Sequence, residues 1–325
     1  MSANSFTRSR IRRTTSWTVI TALAFMLCGD HAIAQRQQVP EGVTAHRDIT
    51  YAVVGDKKLL LDVYVPEDDN VEDEQLPLIV WIHGGAWRAG NKRNCPPLRF
   101  IKEGYIAASI SYRLSHEAIF PAQIHDCKAA IRFLRANAAK YRIDPNSIGV
   151  WGSSAGGHLV ALLGTSGDVK DLEGDVGTTG TSSRVQAVCD FFGPTDFLKM
   201  DVDSLPGGRI VHDDPDSPES QLIGAPIQEH PKKVARANPI TYVTKDDPPF
   251  LIVHGDKDPL VPWQQTKYLF EAFQKVDLPN VQFHIVKGAG HGFRKNPEVN
   301  KMVAAFFDKY LREADTESEA TVITQ

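Results

Sequence analysis

The chain has 325 residues, of which 42% are hydrophobic and 23% charged, and its formal net charge at pH 7 is −4. These values are ordinary for a globular protein, and the length fits one large domain or two small ones. Outside the extreme N-terminus the Lys and Arg residues are scattered, which excludes the clustered basic face that nucleic-acid binding requires.

An export signal is predicted for residues 1–34. Several arginines between positions 8 and 13 precede an apolar stretch from Trp17 to Cys28, and Ala32-Ile33-Ala34 offers a cleavage site of small residues. The stretch is shorter than the roughly 20 residues of a membrane-spanning helix. We therefore expect cleavage after Ala34 and a secreted or periplasmic protein with no stable membrane span. An uncleaved anchor and twin-arginine export through Arg12-Arg13 are the alternatives.

The remaining chain alternates strand-like and helix-like segments. Apolar or alternating runs typical of strands occupy 59–65, 78–82, 105–112, 148–151, 185–192, 250–253 and 281–286. Helical patterns occupy 122–140, 158–163, 263–276 and 297–311. This alternation predicts an α/β domain over residues 35–313, with a parallel sheet covered by helices on both faces.

Two segments interrupt the alternation. Residues 165–183 are rich in Gly, Thr, Ser and Asp, which predicts a long loop. Residues 199–244 carry many Pro, Asp and His residues with little periodicity, which predicts a small cap inserted at about 197–245. The polar tail, 314–325, is expected to fray.

Three cysteines follow the signal segment: Cys95, Cys127 and Cys189. An odd number in an exported protein leaves at least one thiol free or paired between chains. We expect Cys127 and Cys189 to be buried as small apolar residues, and one internal bridge is the alternative.

A candidate nucleophile lies in the G-x-S-x-G motif Gly152-Ser153-Ser154-Ala155-Gly156. The motif follows a predicted strand and precedes a predicted helix, which is the setting of a nucleophile elbow. A serine at that turn lies at a helix N-terminus, where backbone N–H groups favour developing negative charge. The alternative is a Gly-rich turn that binds a phosphate or nothing.

A candidate oxyanion loop, His83-Gly84-Gly85-Ala86-Trp87, follows the strand at 78–82. Acyl transfer places charge on the former carbonyl oxygen, and glycines leave backbone donors accessible to it. We assign the donors to the amides of Gly84, Gly85 and Ala155, and we expect His83 to hold the loop by hydrogen bonding.

The acid and the base are expected on later loops. Asp258 is preferred as the orienting carboxylate because it is followed by the rigid Pro259, whereas Asp256 is expected to shape the turn. His291, on a Gly-rich loop after the last predicted strand, completes the chain order Ser, Asp, His.

No cofactor or metal is predicted. The acidic run at 213–216 matches no calcium loop, so we interpret it as a solvated turn. Asp126, next to His125, is expected to pack or form an ion pair rather than bind a metal. Aromatic residues near the predicted carboxyl ends of strands are candidates for a substrate pocket, namely Trp87, Tyr112, Phe191, Phe192 and Trp263. Core packing is the alternative for Phe191.

Over about residues 45–312, these motifs together with 254–262 and 290–293 resemble the hormone-sensitive-lipase-like esterases. More narrowly, they resemble the BD-FAE type of the α/β-hydrolase superfamily. The resemblance implies a mostly parallel central sheet of about eight strands and the same candidate triad and oxyanion donors. Ala86 departs from the longer HGGG form of lipase-like members, which makes a long-chain lipase less favoured.

The resemblance implies a secreted serine carboxylic ester hydrolase that acts on small acyl esters, with acetyl or feruloyl esters of plant-type polysaccharides as candidates. Its partner would be a small-molecule or carbohydrate ester. A lipase, arylesterase, peptidase or arylformamidase-like hydrolase would share the triad. From another class, a catalytically dead binding module on the same fold is the alternative.

Overall fold

A computed structural model describes residues 37–67, 75–293, 295–314 and 323–324. The predicted signal segment, including Ala34, and most of the predicted tail lie outside the described residues. The predictions made for those segments therefore stay predictions.

One mixed sheet runs through the described chain, with the order β1-β2-β4-β3-β5-β6-β7-β8-β9. The strands are β1 (Val43–Val54), β2 (Lys57–Pro66), β3 (Leu76–Ile82), β4 (Ile106–Ile110), β5 (Ile143–Ser153), β6 (Ala187–Phe191), β7 (Phe250–Gly255), β8 (Val281–Lys287) and β9 (Ile323–Thr324). β1, β2 and β4 pair antiparallel, and from β4 onward every pairing is parallel. The predicted mostly parallel sheet is therefore confirmed.

The sequence did not predict β1, and its position explains why. It is an edge strand whose side chains are largely exposed along much of its length. Its register with β2 also shifts twice, between His46 and Ile49 and between Thr50 and Ala52. Each shift breaks the period of two by which a half-buried strand is detected.

The helices lie on both faces of the sheet, as predicted. The α-helices of the described chain are α1 (Ala122–Ala136), α2 (Ala155–Thr165), α3 (Lys170–Glu173), α4 (Pro218–Ile223), α5 (Pro231–Ala237), α6 (Gln264–Lys275) and α7 (Pro297–Leu311). A 3-10 helix occupies Pro96–Glu103. α7 has its predicted bounds, and the side chain of Asn296 accepts hydrogen bonds from the first free amides of the helix. α1 ends earlier than predicted, and a 3-10 turn at Ala138–Tyr141 follows it.

Two apolar layers cover the sheet. One contains Ile124 of α1, Leu159 of α2 and Phe273 of α6 against one face of the strands. The other contains Val303 and Phe307 of α7 against the opposite face. Burial on both faces is the reason why the central strands appear as continuous apolar runs in the sequence.

The two predicted interruptions contain short helices. The segment 165–183 carries α3, whose Glu173 accepts from the buried Lys128 and Arg132 at 3.2 and 2.6 Å. The cap carries α4 and α5, each of six or seven residues, with 3-10 turns at Phe197–Lys199, Ile227–Glu229 and Pro239–Tyr242. Helices this short span about two turns or fewer, so they leave little periodicity to detect.

Cys95, Cys127 and Cys189 are free and buried, which confirms the expectation for Cys127 and Cys189. Among the described residues, no helix combines the length and apolarity needed to cross a bilayer.

Candidate active site

Ser154 stands in a sharp turn between β5, which ends at Ser153, and α2, which begins at Ala155. Its φ of 57° and ψ of −125° lie in a region that residues with a side chain rarely adopt. The turn is held because the Ser154 amide donates to the Phe191 carbonyl at 2.9 Å. A Cβ on Gly156 would lie 2.1 Å from the Ile82 carbonyl oxygen, so only glycine fits there. The chain thus forms the predicted strand, turn and helix.

The loop 83–87 follows β3 and approaches the same turn. A Cβ on Gly84 would lie 3.2 Å from the Ser154 Cβ and 2.6 Å from the Ser153 carbonyl oxygen. The amides of Arg88 and Ala89 close the loop by donating to the Gly85 carbonyl, each at 3.0 Å. Among the described residues, no backbone hydrogen bond uses the amides of Gly84, Gly85 or Ala155. In this part of the chain these three amides therefore have no backbone acceptor, and Gly84 lies close to Ser154.

His83 holds this loop, as expected from the sequence. Its Nδ1 lies 2.7 Å from the Gly84 carbonyl oxygen, so Nδ1 carries the proton. Its ring stacks on Tyr112 with centroids 4.4 Å apart, and the Tyr112 hydroxyl donates to the His83 carbonyl at 3.0 Å. Burial lowers the pKa of His83 to about 4, so the ring is neutral near pH 7.

Trp87 ties the loop to the helix behind it. Its Nε1 donates to Nδ1 of His158 on α2 at 3.2 Å, and Nε2 of His158 donates to the Ala237 carbonyl at 2.8 Å. Burial lowers the pKa of His158 to about 4, which keeps Nδ1 unprotonated and able to accept. The loop, α2 and the end of α5 are therefore linked through one neutral imidazole.

Asp258 and Asp256 have different hydrogen-bond partners. Oδ1 of Asp258 accepts from the amides of Leu260 and Val261 at 2.8 and 3.0 Å, and Oδ2 lies 2.6 Å from Nδ1 of His291. Asp256 instead accepts from the Gly288 amide at 2.6 Å, which shapes the turn. Burial would raise the pKa of Asp258, but hydrogen bonds from two histidines outweigh burial and hold it well below its usual range.

His291 lies on the loop after β8, with its side chain 17% exposed. Its ring packs on Phe192 with centroids 4.5 Å apart. Phe192 directly follows Phe191, the residue whose carbonyl binds the Ser154 amide. His291 and Ser154 are therefore both held at the end of β6. Among the described residues, no hydrogen bond joins the Ser154 hydroxyl and the imidazole, and such bonds often tighten only when a substrate binds.

Two further residues have contacts in this site that the sequence did not predict. Phe192 has a φ of 45°, a conformation unusual for a bulky residue, and its amide donates to the Val253 carbonyl at 3.0 Å. His254, at the end of β7, is fully buried with Nε2 3.2 Å from Asp258 Oδ2. The sequence carried a signal for His254, because it belongs to the same 254–262 motif as Asp258. Phe192 was a pocket candidate from its position at a strand end, but its positive φ and its contact with His291 are properties of the folded chain.

The predicted pocket needs a correction. Trp87, Tyr112 and Phe191 are only 1%, 3% and 1% exposed, and they pack inside the domain rather than face a ligand. Their sequence positions at strand ends were right, but their side chains fill the space beneath the loops. Phe192 is also buried, at 3% exposed, and of the five candidates Trp263 alone is partly exposed.

The candidate metal residues do not form a metal centre. Asp126 forms an ion pair with Arg113 at 2.7 Å, which confirms the expected role. His125 contacts the Asp171 carbonyl at 3.1 Å. In the described part of the chain, no three His, Cys, Asp or Glu side chains group as metal ligands would, and this includes the acidic run 213–216.

Two family models and several known esterases are similar to this chain. The BD-FAE family model matches residues 61–273, and a TAP-like protein model matches 228–320. Esterase LipC of Mycobacterium tuberculosis is 31% identical over 88% of this chain and 72% of its own length. Esterase LipQ of the same organism is 31% identical over 81% of this chain and 61% of its own length.

Two solved structures are similar over most of the chain. A truncated carbohydrate esterase from gut microbiota is 36% identical with a TM-score of 0.74, over 83% of this chain and 96% of that one. A bifunctional GH43-CE protein of Bacteroides eggerthii is 38% identical with a TM-score of 0.72, over 82% of this chain and 38% of that one.

Proposed function

Because this chain belongs to the BD-FAE family of α/β-hydrolases and is a carboxylic ester hydrolase, we propose that Ser154 is its nucleophile, His291 its general base and Asp258 the orienting carboxylate. The single observation that carries the proposal is the 2.6 Å contact between His291 Nδ1 and Asp258 Oδ2. That contact fixes the proton on Nδ1, so Nε2 keeps the lone pair that must accept the serine proton.

The reaction proceeds in two steps. His291 accepts the proton of the Ser154 hydroxyl as the serine oxygen bonds to the ester carbonyl carbon, and the protonated imidazole then protonates the leaving alcohol. Water attacks the acyl-enzyme by the same route, which releases the acid and restores Ser154. These steps need only the protein's own groups and water.

The amides of Gly84, Gly85 and Ala155 bind the oxyanion. None has a backbone acceptor among the described residues, and Gly84 is in van der Waals reach of the Ser154 side chain. A donor that is already oriented needs no reorganisation when the charge develops, and each is worth roughly 3–4 kcal/mol in the transition state. The Trp87–His158 contact stabilises the loop that presents two of them.

For the substrate, we propose small acyl esters on carbohydrates, with acetyl and feruloyl esters of plant-type polysaccharides as the candidates. The two structures with 36% and 38% identity support this class, because one is a carbohydrate esterase and the other a GH43-CE protein. Ala86 at the place of a third glycine disfavours long-chain lipids. Export of the enzyme after removal of residues 1–34 would bring it to such polymers, and N-terminal sequencing of the mature protein tests that cleavage.

The experiment compares wild type with Ser154→Ala on p-nitrophenyl acetate, acetyl-xylan, methyl ferulate and p-nitrophenyl esters of rising chain length. We expect Ser154→Ala to lose activity and labelling by a fluorophosphonate probe while its circular dichroism stays unchanged. Ser153→Ala, one residue earlier, is the matched control and should be labelled. Labelling or turnover of Ser154→Ala at the wild-type rate would refute the assignment. A wild-type protein that does not react with the probe would indicate a binding module, and preference for peptides or formamides would indicate the other hydrolase classes.

A further inference from the structure

We propose that His254 is a positioning residue for the candidate base, acting through the Asp258 oxygen that it shares with His291. This inference rests on the proposed function, because it concerns the same triad. Nε2 of His254 lies 3.2 Å from Asp258 Oδ2, the atom that also lies 2.6 Å from Nδ1 of His291. Two imidazoles therefore contact one carboxylate oxygen.

The hydrogen-bond partners define the protonation of His254. Nε2 faces two acceptors, Asp258 Oδ2 and the Val261 carbonyl oxygen at 3.0 Å, so it must carry a proton. Nδ1 lies 2.9 Å from the hydroxyl oxygen of Thr266, and that hydroxyl also donates to the Trp263 carbonyl at 3.0 Å. Burial lowers the pKa of His254, although the neighbouring Asp258 opposes that change. The neutral ring therefore carries its proton on Nε2, where both acceptors lie.

The contacts also connect Asp258 to the rigid part of the domain. His254 belongs to β7, and Thr266 lies in the first turn of α6, so the ring bridges a central strand and a helix. Asp258 itself lies on a loop. Its Oδ1 is oriented by the Leu260 and Val261 amides of that same loop. Of these partners, His254 is the one that fixes the carboxylate against the sheet.

A second donor on Oδ2 has an effect beyond orientation. Each donor withdraws negative charge from the carboxylate, which weakens its stabilisation of a protonated His291. Loss of the His254 donor should therefore strengthen that stabilisation, and the acidic limb of the activity profile should move to higher pH. A residue that merely fills space would change stability without moving that limb.

The experiment measures hydrolysis of p-nitrophenyl acetate by the whole enzyme and compares two variants. His254→Phe keeps a ring without hydrogen-bond donors, and His254→Gln has an amide that places a donor near the position of Nε2. Active sites are counted by fluorophosphonate labelling, so that loss of folded protein does not count as loss of rate. His284→Phe is the matched control, because His284 is a buried histidine on the adjacent strand β8.

We expect His254→Phe to lose about 10–100-fold in kcat per labelled site with little change in KM, by analogy with the loss of a group that orients a metal-bound histidine. The pH of half-maximal kcat/KM should rise by about 0.5–1 unit, which corresponds to the net worth of one hydrogen bond. His254→Gln should recover most of both quantities, and His284→Phe should keep the wild-type kcat and pH profile whatever its stability.

A wild-type kcat per labelled site and a wild-type pH profile in His254→Phe would overturn the proposal, and so would the same pH shift in His284→Phe. If His254→Phe does not fold, Thr266→Val decides the question, because it keeps the shape of the side chain and removes the hydroxyl that contacts Nδ1. A smaller shift in the same direction supports the proposal, and an unchanged profile overturns it. These failures leave the triad standing, whereas activity in Ser154→Ala would refute the triad itself.

Discussion

Replacing Asp258 with Asn tests the site most directly, because the two side chains have the same shape and differ in one hydrogen-bonding group. In the structure both carboxylate oxygens act only as acceptors. Oδ1 accepts from the amides of Leu260 and Val261, and Oδ2 from His291 and His254. An asparagine has one oxygen for these four contacts, and its NH₂ group must face donors on one side or the other.

The favoured orientation follows from those contacts. With its oxygen toward the two backbone amides, the asparagine turns its NH₂ toward His291 and His254. His291 then accepts at Nδ1 and carries its proton on Nε2, where it can no longer take the proton of Ser154. In serine proteases with such a triad, loss of the correct tautomer costs about 10⁴-fold in kcat. We expect about 10³–10⁴-fold here, equivalent to about 4–5.5 kcal/mol of activation free energy.

The assay measures kcat on p-nitrophenyl acetate at pH 7, per mole of folded enzyme. Asp256→Asn is the matched control, because Asp256 accepts from the Gly288 amide and is not among the groups that contact His291. It should keep activity within about threefold, as expected of a substitution that only weakens one hydrogen bond. Asp258→Asn with activity within about tenfold of wild type, or equal losses in both variants, would refute the reasoning.

Two further predictions concern the loop and the cap. Gly84→Ala should lower kcat about 10²–10³-fold, the cost of losing an oxyanion donor. The new Cβ would lie 2.6 Å from the Ser153 carbonyl oxygen and would displace the loop. Steady-state kinetics on a variant with an unchanged circular dichroism spectrum checks this, and a wild-type kcat would contradict it. His212→Gln should lower the melting temperature most at low pH. Nδ1 of His212 lies 3.0 Å from the buried Glu219 carboxylate, a charge contact, and Nε2 lies 3.1 Å from the Leu260 carbonyl oxygen. Burial would lower the pKa of His212, but Glu219 outweighs it and the pKa is raised. The stabilisation of the folded state by the contact between His212 and Glu219 is therefore complete below about pH 6.5, the pKa of histidine in the unfolded chain. It is lost as the pH rises through the higher pKa that His212 has in the folded protein. Melting curves of both proteins between about pH 5 and 9 should converge at high pH, and a constant difference would contradict the protonation argument.

Much of the candidate site could be predicted from the sequence, because each motif constrains its own backbone. A side chain on Gly152 would collide with Gly156, and one on Gly156 would collide with Ile82 on the adjacent strand. The alternation of apolar runs also indicates which strand precedes each loop. The choice of Asp258 over Asp256 also followed from local position, and the structure gives the two carboxylates different partners.

The remaining features depend on contacts between distant segments. No pattern in 87–112 shows that Trp87 and Tyr112 would be buried instead of lining a pocket, since that depends on His158 and His83 packing against them. The edge strand β1 escaped detection for a related reason, because its pairing with β2 rather than its own polarity determines its structure.

By itself, the sequence determined the chemistry that is available: a serine between glycines, a glycine loop upstream, and a carboxylate and a histidine on later loops. Only the tertiary structure decided how those groups connect. Parallel strands bring their carboxyl ends to one edge, and there Asp258 meets two imidazoles on one oxygen. Packing between distant segments decides which side chains share a buried acceptor. The order of residues along the chain does not show which of them become neighbours in the fold.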